Sequence, residues 1–195
     1  METNYLSLII GLLGSWAFIS SCFSIKRRRI LLLGALSSAL LIGSYLVKGD
    51  MTAGTMVVVS LVRNILFIVE QKSATSWLTR RRIFVAVAIF IIVSWSLTAG
   101  LNAFNWHKLL IVASPLLLLY GLSLDNIVHL KIFTILNGFG WLAYEAITGS
   151  YTIMLGESVG ILMAFIAIVR IMQTNTPTET ILTNNRSSTI EKKND

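Results

Sequence analysis

Seven runs of apolar residues, broken by short polar stretches, set the pattern of this chain: 5–23, 30–47, 51–69, 83–98, 108–124, 131–147 and 151–172. A helix rises ~1.5 Å per residue, so ~20 residues cross a ~30 Å hydrocarbon core. Each run is long enough, or nearly so, to span a bilayer. Runs two and three are joined only by Lys48-Gly49-Asp50, and runs six and seven only by Thr148-Gly149-Ser150. The same tight hairpin thus occurs twice, with a lone run between two triplets. The pattern predicts an all-α polytopic membrane protein of seven transmembrane helices, two parallel three-helix repeats joined by a linker helix (3+1+3). The repeats fall at 1–69 and 105–172. Between them lie a cytoplasmic loop and linker helix 4 at 70–104, and 173–195 reads as a disordered cytoplasmic tail.

Sliding the chain by 100 residues superimposes the halves without a gap. Gly49 falls on Gly149, Leu36 on Leu136, Thr52 on Thr152 and Val59 on Val159. Three spans reverse the chain's direction across a membrane. A fourth restores it, so the second triplet enters with the orientation of the first. Parallel repeats of this kind are related by an axis along the membrane normal and are commonly built around a pathway.

Composition agrees with the pattern. The chain is 55% hydrophobic and 13% charged, too few charges to cover a soluble domain of this size. Its net charge of +7 does not point to nucleic acid, because the basic residues sit in short stretches beside the spans. The first run has no basic segment before it and no convincing small-residue cleavage site after it, so it reads as a retained span. One cysteine, Cys22, cannot form an intrachain disulfide or a thiolate metal cage.

Charge also predicts orientation. With the N-terminus outside, Lys26, Arg27, Arg28, Arg29, Lys72, Arg80, Arg81, Arg82, Lys131, Arg170, Arg186, Lys192 and Lys193 all lie inside. These are 13 of the 16 basic residues, against Lys48 and Lys108 outside. The positive-inside rule then places the N-terminus outside and the C-terminus in the cytoplasm.

Arg63 stands out, deep in the third run. A charge at the centre of a span costs ~2.5–3.5 kcal/mol on insertion scales and normally faces the bundle interior. Snorkelling to the headgroups is the competing reading. Glu157, about two turns into the seventh run, could pair with Arg63, meet a cationic solute or carry a proton. It is level with position 57, so ~9 Å of helix rise separates it from Arg63. Asn64 and Asn137 can hydrogen-bond between helices. Trp141 and Tyr144 share a face with Asn137 and Gly140, and Trp16 is a weaker candidate of the same kind. Glu145 reads as an interfacial carboxylate, and Trp77 and Trp106 as interfacial anchors. Gly156-x-x-x-Gly160 reads as a close-packing face, and Pro115 as a kink in the fifth run.

Runs six and seven read Leu136-Asn137-Gly138-Phe139-Gly140-Trp141-Leu142-Ala143-Tyr144, then Gly156-Glu157-Ser158-Val159-Gly160 after the turn. This resembles the second repeat of the SWEET sugar facilitators and their PQ-loop relatives, which carry Trp-x-x-Tyr on span 6 and Pro-Asn-x-x-Gly on span 7. The chain is similar, more closely, to the bacterial YgjV inner-membrane family, with its basic first inside loop, an Arg on span 3 and a Glu early on span 7. The resemblance covers residues 1–172 and implies a SWEET-like fold whose span-6 face lines a pathway. The chain lacks a Pro-Gln pair after span 1, and Gly156-Glu157 stands where Pro-Asn would, so a neutral sugar is not carried over as substrate.

No nucleophile–base pair, phosphate loop, metal cluster or cofactor motif is present in the sequence, and no enzyme activity is expected. The reading is a transporter or facilitator of a small solute, working by alternating access between two three-helix bundles. Its pathway candidates are Arg63, Glu157, Asn64, Asn137, Trp141 and Tyr144. The expected partners are the lipid bilayer, a small solute, a proton as coupling ion and a second copy in a homodimer. The alternative is a non-transporting sensor, assembly factor or lipid- and partner-binding protein, in which Arg63 and Glu157 are structural.

Overall fold

The computed structural model describes the backbone of residues 2–72, 79–99 and 108–191, and the side chains of 5, 7–71, 79–96, 109–151 and 153–174. Trp77, Trp106 and His107 lie outside the described residues. Among the described residues there are seven α-helices and no strand: α1 Glu2–Phe23, α2 Arg27–Lys48, α3 Met51–Lys72, α4 Arg80–Ala99, α5 Lys108–Ser123, α6 Ile127–Thr148 and α7 Tyr151–Glu191. By length and composition, α2, α3, α6 and residues 153–174 of α7 are apolar enough to cross a membrane. Residues 7–23 in α1 and 109–123 in α5 are apolar but shorter.

Local chemistry explains where the helices stop. Gly49 (φ 75°) and Gly149 (φ 73°) end α2 and α6 in the left-handed region that side chains avoid. Asp50 then restarts the chain, its Oδ1 accepting the Ala53 N–H at 3.0 Å. Asn126 starts α6, its side chain accepting the Val128 N–H at 2.8 Å. The helix thus starts at Ile127, four residues ahead of the expected span, and Lys131 sits a full turn inside it. At its other end α7 runs on as helix to Glu191, past the point where disorder was expected. The Thr174 hydroxyl bonds back to the carbonyls of Arg170 and Ile171 and so adds to the helical backbone bonds there.

The helices close into a ring. α1 packs between α2 and α7, α2 against α3, α3 against α5, α5 against α6, and α6 against α7. The fourth helix leans on α3 and α5. Small residues make two of these seams tight. A Cβ on Gly156 would fall 2.5 Å from Ser15, and one on Gly160 would strike the Phe18 ring, so the glycine pair seats α7 on α1. In the α1–α2 seam, the Ser37 hydroxyl donates to the Gly14 carbonyl at 2.9 Å, and Ser7 meets Ser44 at 3.1 Å.

Burial is inverted relative to a water-soluble bundle. Among the described residues sixteen serine, threonine, asparagine and charged side chains are buried, while Leu12, Trp16, Ile65, Phe139, Leu162 and Phe165 face outward. An outer surface this apolar is stable only in a lipid-like solvent.

Candidate functional site

Six helices, all but α4, contribute to the wall of a central cavity of about 90 Å³. This is room for several waters or one small solute. On α6 the three- and four-residue spacing carries Lys131, Thr134, Asn137 and Trp141 down one inward face. From α3 come Arg63 and Asn64, and from α7 comes Glu157. Five of the six pathway candidates therefore line one space, although they come from helices far apart in sequence.

Arg63 is 3% exposed, so its guanidinium is not snorkelling to the surface. Its Nη2 donates to Asn64 Oδ1 at 3.5 Å, a long bond, and its Nε and Nη1 are buried without a partner. Asn64 is held in turn by close packing on Gly34, where a Cβ would come within 3.0 Å of the amide nitrogen. Glu157 is 8% exposed, and its Oε2 also lacks a partner. Among the described residues no ion pair joins Arg63 to Glu157. Arginine keeps its charge under any protein conditions. The cavity thus holds a fixed positive group and a carboxyl, each with unused hydrogen-bonding capacity.

Three expectations need correction here. Lys131, counted among the inside loop residues, is fully buried. Its ammonium donates to the Ser21 carbonyl at 3.1 Å and to the Cys22 carbonyl at 2.5 Å. Those carbonyls lie in the last turn of α1 and form the negative end of its dipole. Glu145 is not interfacial but fully buried, and its Oε1 accepts the Tyr45 hydroxyl. Tyr45, on α2 and 100 residues away in sequence, supplies the partner that lets a carboxyl sit there. Trp16 is 70% exposed on the outer surface and is no part of the cavity. It lies on the outward face of α1, with Leu12 and Leu13.

Tyr144 lies just beyond the cavity wall. Its hydroxyl donates to Asp50 Oδ2 at 3.0 Å. Rings of Tyr45, Trp141 and Tyr144 cluster at this end, with centroids 6.5 and 6.2 Å apart. Together with Tyr45–Glu145 and Tyr144–Asp50 they flank the cavity on the side of the Gly49 and Gly149 turns.

The opposite end is closed by cations. Arg27 at the start of α2 donates to the carbonyls of Leu124, at 2.7 Å, and Leu122, as Lys131 does to those ending α1. Its guanidinium also lies 6.0 Å from the Phe67 ring centre. Arg80 bonds Glu70 at 3.1 Å and reaches Asp125 in the turn before α6. The Arg80 guanidinium holds the Asp125 carboxyl below its ordinary range.

Sequence reasoning missed Tyr45, Asp50, Arg27 and the burial of Lys131. Two signals were available. Lys131 is in phase with Thr134, Asn137 and Trp141, and Tyr45 is separated from Glu145 by 100 residues, the spacing of the two hairpins. Among the described residues no group of three or more His, Cys, Asp or Glu could hold a metal ion.

No curated protein and no solved structure matches the chain. The Imp-YgjV family, described as a bacterial inner membrane protein, matches residues 5–175. An inner-membrane family, an apolar exterior and four helices of spanning length agree, and the chain belongs to the Imp-YgjV family of bacterial inner membrane proteins.

Proposed function

We propose that this inner membrane protein carries a small solute across the bilayer by alternating access. In this reading all seven helices span the membrane as two parallel triplets joined by α4. The matched bounds of α2 and α6, 100 residues apart, support the duplication. The basic end, with Arg27 and Arg80, faces the cytoplasm, and the Gly49 and Gly149 turns face outward. A homodimer is compatible with this arrangement and is not required by it.

The observation that carries the proposal is the cavity itself. It lies between the two triplets, holds Arg63 and Glu157 with unpaired atoms, and is flanked at each end by polar contacts that cross from one triplet to the other. Bonds that cross a seam are the ones broken when two bundles rock apart. The structure then corresponds to an occluded state. Opening toward the outside would release Tyr45–Glu145 and Tyr144–Asp50. Opening toward the cytoplasm would release Arg27 and Lys131 from the carbonyls. Glu157 is the carboxyl that would carry a proton if flux is coupled to one.

The test is uptake by proteoliposomes of a panel of labelled solutes: alanine, lactate, glycerol and a hexose. Saturable uptake of one of them, reduced at least tenfold in Arg63→Gln and Glu157→Gln, is the expected result. No uptake of any, with the protein folded and inserted, would favour the structural alternative. In that case the same crossing bonds serve as permanent staples of a sensor or assembly factor.

A further inference from the structure

The unused atoms in the cavity define the chemistry of its occupant. Three charged side chains line it: Arg63, Lys131 and Glu157. Lys131 is already answered by the two carbonyls at the negative end of α1. What remains is an arginine with two unpaired nitrogens and a carboxyl with one unpaired oxygen, both nine-tenths buried or more and not in contact with each other.

A neutral polyol would leave both groups with uncharged partners. A simple anion would satisfy Arg63 and abandon Glu157, and a simple cation would do the reverse. Leaving a buried charge without its partner is costly. Charge-assisted hydrogen bonds are about twice as strong as neutral ones. From this the geometry points to a small zwitterion of the amino-acid kind, its carboxylate on Arg63 and its ammonium on Glu157. This rests on the reading of the cavity as a solute site.

Both groups line the same cavity, Arg63 from α3 and Glu157 from α7, so one small solute can meet both. Trp141, Leu118 and Ile153 give the remaining wall an apolar character, suited to a short aliphatic side chain. The limited volume selects against large side chains.

The experiment is calorimetric binding to the full chain in lipid nanodiscs, with L-alanine, propionate (no ammonium), ethylamine (no carboxylate) and glycerol as probes. Alanine should bind at least tenfold more tightly than either singly charged analogue, and glycerol should give no heat. In Glu157→Gln the alanine preference should collapse, with propionate binding as well as alanine or better. Arg63→Lys should retain weak alanine binding where Arg63→Gln loses it. The Glu157 swap keeps the test decisive if the Arg63 variants fail to fold. Equal binding of glycerol or of a singly charged analogue, or no binding of any probe, would overturn the inference. Uptake and failure would separate cleanly. Glycerol flux without alanine binding would remove the zwitterion and keep transport. Alanine binding with the charge swap but no flux would keep the zwitterion site and remove transport.

Discussion

At the scale of single residues, the account depends on polar groups that are buried with a partner and polar groups that are buried without one. The Tyr45 hydroxyl and Glu145 Oε1 belong to the first kind. Tyr45→Phe strips the carboxyl of its donor, and an orphaned buried group costs ~1–3 kcal/mol. The expected outcome is a lower thermal midpoint in detergent, largely restored when Glu145→Gln is added, because an amide tolerates the loss better than a carboxyl. Additive losses in the double variant would show that the two side chains do not interact. Arg63 belongs to the second kind. Substituting Arg63→Met removes a buried charge with two unpaired nitrogens and is expected to leave the thermal midpoint unchanged or higher, while solute binding is lost. A midpoint that fell sharply would mark Arg63 as a structural residue. The charge of Arg63 was legible from its place in an apolar run. The burial of Glu145 was not, since a carboxyl near the end of a span reads as interfacial until its partner, 100 residues away, is known.

Among the helices, the α1–α7 seam is a tight contact that small residues control. A side chain at Gly160 meets the Phe18 ring, and one at Gly156 meets Ser15. Gly160→Leu should destabilise by ~1–3 kcal/mol, the range for overpacking a close contact, while Val159→Leu, on the half-exposed neighbouring face, should change little. Thermal unfolding of the two variants side by side checks this. On the basic end, Arg80 ties α3 to the turn before α6 through Glu70 and Asp125. Because the Asp125 carboxyl is held below its ordinary range, its pairing is complete above the unfolded carboxyl range, near pH 4. It is lost as pH falls through the lower folded value. Arg80→Gln should therefore speed amide exchange in 124–126 at neutral pH, and more so at low salt, because the pair is exposed. The spacing of hydrophobic runs made the helices legible. It misplaced the start of α6, which begins at the Asn126 cap and takes in Ile127, Val128 and Leu130.

For the whole molecule, the sequence announced a membrane bundle with an apolar exterior, and the structure shows that arrangement around a central cavity lined by polar residues. The hairpins at 48–50 and 148–150 were readable because glycine at a left-handed cap leaves a signature in one dimension. The cavity's closure was not readable, because it is made by bonds between residues 94 to 110 apart, among them Tyr144 to Asp50 and Lys131 to Ser21. Those bonds hold the ring shut at both ends, and the central claim is that each end opens in turn.

The protein carries its own reporter for that claim. Its one cysteine, Cys22, is buried in the cavity wall. The most direct measurement is modification of Cys22 in the unaltered chain by a small membrane-impermeant thiol reagent, applied separately to right-side-out and inside-out vesicles. Alternating access predicts slow modification from both sides, accelerated from the outside in Tyr45→Phe, which weakens the outer closure. No modification from either side, while a cysteine placed at Ser150 in a Cys22→Ser background reacts freely, would contradict it and leave a permanently closed bundle.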